Sequence, residues 1–321
     1  MKSLASTILV SSLSFPLLAG AQRPSSVSIC DFYAEKLFGN NTALTQRLVQ
    51  THILNTAIIG NYTSPNVGVS VTGIAPVSIF NGTEVNLLKY FDAALYSTND
   101  GKTNAGVAKL FLDDGGPTPI SMNMASNGNV NSAQYILLTH VWEYFGVLLN
   151  CSKQGTDASS PSYAGNPSMY EVHKYMNLDP YEQGWFVRQL ALAAASIGFS
   201  SEDTSIWFNT MTGLFSSRCS PPTVVLPGEP ELQAICIHDS CPLAANANCA
   251  LYAKSFAPGV ANTSLAGNYT KTNTSGIANA TATGGYIAPS AAVPSVASVA
   301  WKLGVDVLAA VLVGGVGILT L

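Results

Sequence analysis

Hydrophobic segments close both ends of this 321-residue chain, and together they set the compartment in which everything between them must fold. Lys2 precedes an apolar run from Ile8 to Leu18 and then the small residues Ala19-Gly20-Ala21. This is the order of a secretory signal peptide over residues 1–21, with cleavage expected before Gln22. Leu303 to Leu321 is apolar apart from Asp306 and Thr320, and it is preceded by Lys302, a short spacer and the small triplet Ser290-Ala291-Ala292. That arrangement fits a glycosylphosphatidylinositol (GPI) attachment signal, with Ser290 as the expected attachment site and 291–321 as the removed propeptide. A membrane-spanning helix is the competing reading, because the tail is close to the minimum span. Such spans usually carry Lys or Arg directly after the apolar stretch, and the sequence shows none.

A secretory route gives the remaining composition its meaning. Only 10% of the residues are charged, and between Gln22 and Ser290 the chain keeps 12 basic and 17 acidic side chains. Solubility therefore needs another source. Eight Asn-x-Ser/Thr sequons offer it, at Asn40, Asn61, Asn81, Asn150, Asn262, Asn268, Asn273 and Asn279. No basic run is present to neutralise phosphates, so nucleic acid is not expected as a partner. The even set Cys30, Cys151, Cys219, Cys236, Cys241 and Cys249 is expected to form three disulfides. Spacing leaves their connectivity open, although Cys30 and Cys151 stand in separate apolar segments and are the favoured pair. The other four would staple a loop-rich cap. No Cys-x-x-Cys pair suggests zinc.

The chain divides by composition. Residues 22–256 have enough apolar periodicity for a core. Residues 257–290 are Ala, Ser, Thr, Asn, Gly and Pro with few large apolar groups, which predicts a disordered glycosylated stalk.

Within the first part the punctuation is helical. Ser28 and Asp31 open a helix that Gly39 stops, and a second runs from Ala43 to Ile59 before Gly60. Thr83 to Tyr96 is a third candidate. Gln134 to Leu149 is apolar nearly all round and predicts a buried helix. Ser168 with Glu171 suggests a capping box for a short helix through Met176. Asp179-Pro180-Tyr181-Glu182 combines an N-cap, a first-position proline and a capping glutamate, and Gly198 is placed to end that helix. Ser200 starts another, ending near Cys219. Strand signals are few. The expected fold is mainly α, with disulfides and long loops at about 61–82, 97–131 and 152–167.

No Gly-x-Ser-x-Gly elbow, His-Glu-x-x-His or phosphate-binding glycine loop is present. His238-Asp239-Ser240 lies between Cys236 and Cys241 and predicts a polar turn, and Asp113-Asp114 before Gly115-Gly116-Pro117 predicts another. No catalytic residue is assigned.

The order of several segments resembles the truncated globins. Phe32-Tyr33 lies on an early helix. His140-Val141-Trp142-Glu143-Tyr144-Phe145 lies on a later one, followed by Tyr163-Ala164-Gly165, Met169 to His173 and the long helix before Gly198. The resemblance is strongest over about 133–207. It implies a globin-like helical fold with His173 as the proximal iron ligand, Tyr33 as the distal hydroxyl and His140 near the haem edge. Phe145, Met169, Met176, Phe186 and Leu190 would form apolar walls. In its whole arrangement the chain also resembles fungal GPI-anchored wall glycoproteins. That likeness implies an extracellular, lipid-anchored protein of the plasma membrane or cell wall, with a structural, adhesive or recognition role and wall glycans as partners. The alternative it must be weighed against is a haem-binding protein that binds a diatomic ligand or captures haem.

Overall fold

The computed structural model describes residues 22–62, 66–253 and 259–266. All of them belong to the first of two compact units, residues 1–269. The domain is mainly helical and rests on three disulfides, Cys30–Cys151, Cys219–Cys249 and Cys236–Cys241. The expected signal peptide (1–21), the acceptor candidates Asn268, Asn273 and Asn279, and the expected attachment residue Ser290 with the segment after it lie outside the described residues.

Local capping fixes most helix ends. Helix α1 (Ile29–Phe38) starts where Ser28 accepts the Asp31 N–H and stops at Gly39, which is left-handed at φ 78°. Helix α2 (Ala43–Ile59) opens with a reciprocal capping box between Thr42 and Thr45. Its last carbonyls would be orphaned, but the strand-like return at 71–75 meets them: Ile74 N–H bonds Ala57 O and Ala75 N–H bonds Ile58 O. That return runs so close that a Cβ on Gly73 would sit 2.5 Å from Gly60 N, and both glycines have positive φ.

Residues 83–96, expected as a helix, are not one. Phe80 and Val85 instead belong to a hairpin of β1 (Ser78–Phe80) and β2 (Thr83–Val85), followed by a 3-10 turn over Leu87–Tyr90. Asn81-Gly82 between two short runs is a hairpin signal, and pairing with β1 overrides the weak helical pattern that follows. A second small ladder joins β3 (Thr98–Asn99) to β4 (Gly106–Val107).

Helix α3 (Pro117–Ser121) leads to α4 (Ala133–Leu148), whose start is capped twice. Ser132 accepts Tyr135 N–H, and Asp113, twenty residues upstream, accepts both Ala133 and Gln134 N–H. Asp113 therefore completes a helix end as well as lying in a turn. Helix α4 is buried along Leu138, Trp142 and Phe145, and Ile136 is open to solvent. In α5 (Met169–His173), Ser168 caps Glu171 N–H as expected, but the Glu171 carboxylate turns to Lys174 at 2.8 Å instead of closing the box. Helix α6 (Pro180–Ser196) has the full Asp179/Glu182 capping box. Gly198 N–H bonds Ala195 O and Phe199 N–H bonds Ala194 O, which closes its end as a Schellman motif. Helix α7 (Ser201–Phe215) follows at once.

Helix α2 is the centre of the domain, packed on α1, α3, α4 and α6. Beside Val49, Ile53, Leu54 and Ala57 it buries Gln46, Gln50 and Asn55 completely. Asn55 donates to Ile120 O at 2.9 Å and accepts from Trp142 Nε1 at 2.9 Å, so one amide joins three helices.

The folded part extends further than composition suggests. Residues 259–266, placed in the stalk by their lack of large apolar groups, run beside 89–96. Tyr96 N–H bonds Gly259 O, Ala261 N–H bonds Ala94 O, and Lys89 Nζ bonds Ala266 O. Ala266, at the end of α8 (Thr263–Ala266), is 1% exposed. Backbone hydrogen bonds, the Lys89 ammonium and one small buried residue hold this segment, and none of them leaves a compositional mark in it.

Replacing Asn55 with Leu strands the Trp142 indole N–H and the Ile120 carbonyl in the core. It should lower unfolding free energy by about 3 kcal/mol in urea denaturation.

Candidate functional site

The three residues that the globin resemblance assigns to haem have separate surroundings. The Tyr33 hydroxyl donates to Asp203 Oδ2 at 2.9 Å and accepts Ser200 N–H at 2.7 Å. Its ring stacks on Phe199 with centroids 3.7 Å apart. Burial raises its pKa, so it remains a phenol. A distal hydroxyl needs a free donor facing a ligand; this one is spent at the start of α7. Asp203, 3% exposed, also takes Arg23 in an ion pair at 2.7 Å.

His140 lies half-buried on α4 with its ring edge-on to Tyr163 at 5.9 Å. His173 closes α5, and its Nδ1 bonds Met169 O at 2.8 Å. None of the three touches another. The proposed walls also pack on one another: Phe145 meets Phe186 and Trp207, and Leu190 is fully buried in the same cluster. The engaged Tyr33 hydroxyl and the packed walls do not fit a haem.

Of the two best-formed cavities, the larger, about 320 Å³, is lined by Gln22, Arg23, Ser25, Glu202, Asp203 and Ile206. Gln22 donates to Glu202, and with the Arg23–Asp203 pair it fastens the first described residues to the start of α7. The second, about 210 Å³, lies in the disulfide-stapled cap. Tyr170, Arg218, Asp239, Tyr252 and the Cys219–Cys249 pair line it. The two tyrosine rings meet edge to face at 4.7 Å. Tyr170 accepts Ala253 N–H, Tyr252 donates to Ser220 O, and Arg218 Nε donates to Cys241 O. One charge of each sign and two aromatic rings line the cleft.

The nearest pair to one is His238 and Ser240, in the turn closed by Cys236–Cys241. His238 Nδ1 accepts Ser240 N–H and lies 2.7 Å from its Oγ. In a triad the acid would bond the other ring nitrogen, and Asp239 makes no such bond. On α4, Glu143 is 6% exposed; burial raises its pKa, and nearby Arg47 opposes that rise. Arg47 itself stacks on Trp142 at 4.5 Å, and burial pushes the adjacent Tyr163 up to about 12. Among the described residues no group of three His, Cys, Asp or Glu could hold a metal ion.

The sequons show a consistent pattern. Asn40, Asn61, Asn81, Asn150 and Asn262 are all exposed, and each lies in a connection between helices or strands. No family model, curated protein or solved structure matches the chain.

Arg218 and the Arg23–Asp203 pair went unmarked in the sequence because their significance depends on partners far away. Only the grouping of Cys219, Cys236, Cys241 and Cys249 after Arg218 pointed to a stapled cap.

Two outcomes follow from the histidines. Haemin added to the mature protein should give no Soret band that His173→Ala removes. Burial lowers the pKa of His52, His140 and His173, so the unfolded chain binds more protons below its ordinary histidine pKa of about 6.5. Stability should fall as pH drops through that value. The urea midpoint should be lower at pH 5 than at pH 7, and His52→Gln should shrink the difference.

Proposed function

We propose that this chain is a lipid-anchored surface glycoprotein, displayed at the extracellular face of the plasma membrane or cell wall in a structural, adhesive or recognition role. The observation that carries this reading is the joint state of cysteines and sequons. All six cysteines are paired, as an oxidising compartment permits. All five described acceptor asparagines face solvent in connections, where a glycan disturbs no packed face. The apolar N-terminal run and the Ser290-Ala291-Ala292 triplet before the apolar tail supply the route and the anchor.

Charge supports the same reading. Two ion pairs are formed among the described residues, and one of them is partly exposed. Exposed pairs contribute little, so solubility at this charge density falls to sugars. The domain serves to present its loops and its disulfide cap.

Treatment of expressing cells with a phosphatidylinositol-specific phospholipase should release the protein into the medium. Retention in the membrane fraction would overturn the anchor. Glycosidase treatment of the released protein should increase its gel mobility in several steps.

A further inference from the structure

The β1–β2 hairpin carries a sequon at its tip, with a geometry that the other described sequons lack. The strands pair with Phe80 opposite Thr83, so Asn81 and Gly82 form the whole connection. Both have positive φ, 49° and 81°, as the mirror-image turn that matches strand twist requires. Asn81 and Gly82 are exposed, and the side chains of Asn81 and Thr83 bond no other described residue. Phe80 is held from beneath. Its ring meets Trp185 at 5.9 Å and lies so close over Gly184 of α6 that a Cβ there would fall 2.8 Å from Cε1. Phe80 is only partly buried, and Ile79 beside it is 66% exposed.

Elsewhere the sequon atoms are engaged. Thr42, two residues after Asn40, is locked in the α2 capping box. Ser152, two after Asn150, accepts from Gln46 Nε2, and the residue between them is in the Cys30–Cys151 disulfide. Asn61 Oδ1 accepts Val71 N–H, and Asn262 Oδ1 holds Ser264.

We propose that Asn81 carries an N-linked glycan whose first N-acetylglucosamine lies on the Phe80 ring and the Thr83 methyl, fastening the hairpin onto α6. This rests on the glycoprotein reading above. In the transfer, a C1–Nδ2 bond forms as the C1–O bond to a lipid-linked pyrophosphate donor breaks. The amide nitrogen loses a proton, and the lipid pyrophosphate departs with the bonding pair. The sugar's C–H face then meets the negative face of the ring, the favourable side of its quadrupole. A hairpin of two three-residue strands is marginal by itself, so a contact bridging both strands and the helix beneath stabilises it disproportionately.

The test uses the full chain secreted from a glycosylating host, its N-glycans trimmed to one N-acetylglucosamine per site. Four forms are compared: unaltered, Asn81→Gln, Phe80→Leu and the double variant. Mass spectrometry should find Asn81 occupied. Asn81→Gln should lower Tm by about 2–4 °C, the shift expected for roughly 1 kcal/mol in a domain of this size. The same change added to Phe80→Leu should lower it by less than about a degree. Hydrogen exchange supplies a second measurement that leaves Phe80 intact: amides of 78–85 should exchange faster in Asn81→Gln than in the unaltered chain.

Equal Tm losses in both backgrounds, or unchanged hairpin exchange, would overturn the packing. Asn81 found bare while other sequons are modified would overturn the site and leave the glycoprotein reading standing. Absence of sugar at every sequon would overturn both.

Discussion

Buried carboxamides on and around α2 are the constraint on which the rest of the domain depends. A central helix contacting four others would ordinarily be apolar all round, yet α2 buries Gln46, Gln50 and Asn55 among its aliphatic residues. Each amide carries both donor and acceptor, so each can take a backbone or side-chain partner from a different segment. Gln46 donates to Asp31 and Asn41 and accepts Lys153 N–H, which binds the start of α1, the α1–α2 connection and the loop after α4 at one point. Gln189 on α6 accepts Gly73 N–H, and Gln134 on α4 accepts from Asp114 and Gly116. Where such bonds are made inside the core they specify one arrangement, because a slip strands several polar groups at once; Gln50 is the exception, its Nε2 meeting Cys151 Sγ while its buried Oε1 has no partner among the described residues.

That design explains how long connections with few large side chains stay ordered. The 71–75 return is fixed by the open end of α2, and the Asp113 loop by the open end of α4. Helix termini need partners in any case; here the loops supply them, so one set of hydrogen bonds serves both elements. Cys30–Cys151 closes a loop of sequence separation 121 next to the Gln46 network, which removes conformational freedom from the unfolded chain over that whole loop. The cap beyond α7 has little regular structure and depends on Cys219–Cys249 and Cys236–Cys241 instead.

Legibility in the sequence followed the range of the interaction concerned. Ser28, Asp179-Pro180 and Gly198 act within a turn or two of their own residue, so the ends of α1 and α6 could be read directly. The 83–96 segment could not, because its fate is decided by Ser78–Phe80 across the Asn81-Gly82 turn. The stalk boundary was placed too early for a similar reason: the bonds from 259–262 reach back to Ala94 and Tyr96, residues no local window includes. The candidate haem residues failed at the last step, which is convergence. Tyr33, His140 and His173 have the right chemistry one at a time, but the fold gives the Tyr33 hydroxyl to Asp203 and Ser200 and sets the three side chains in separate surroundings; the His173 Nδ1–Met169 O bond leaves Nε2 uncommitted. Residue types at plausible spacing leave open what each side chain will bond first.

The positions of the sequons bear on why so sparsely charged a body would stay in solution. Several large apolar side chains that remain exposed lie within a few residues of an acceptor asparagine: Leu44 after Asn40, Val67 after Asn61, Ile79 before Asn81, and Val260 and Leu265 around Asn262. An apolar side chain left in water near a turn is a liability for association. A glycan on the same turn covers that surface with hydroxyls and excludes a second copy sterically, which scattered charges at this density cannot do. Selection for charge is then relaxed wherever a sugar is attached. Under the glycoprotein reading proposed above, the low charge and the sequon density are two aspects of one adaptation.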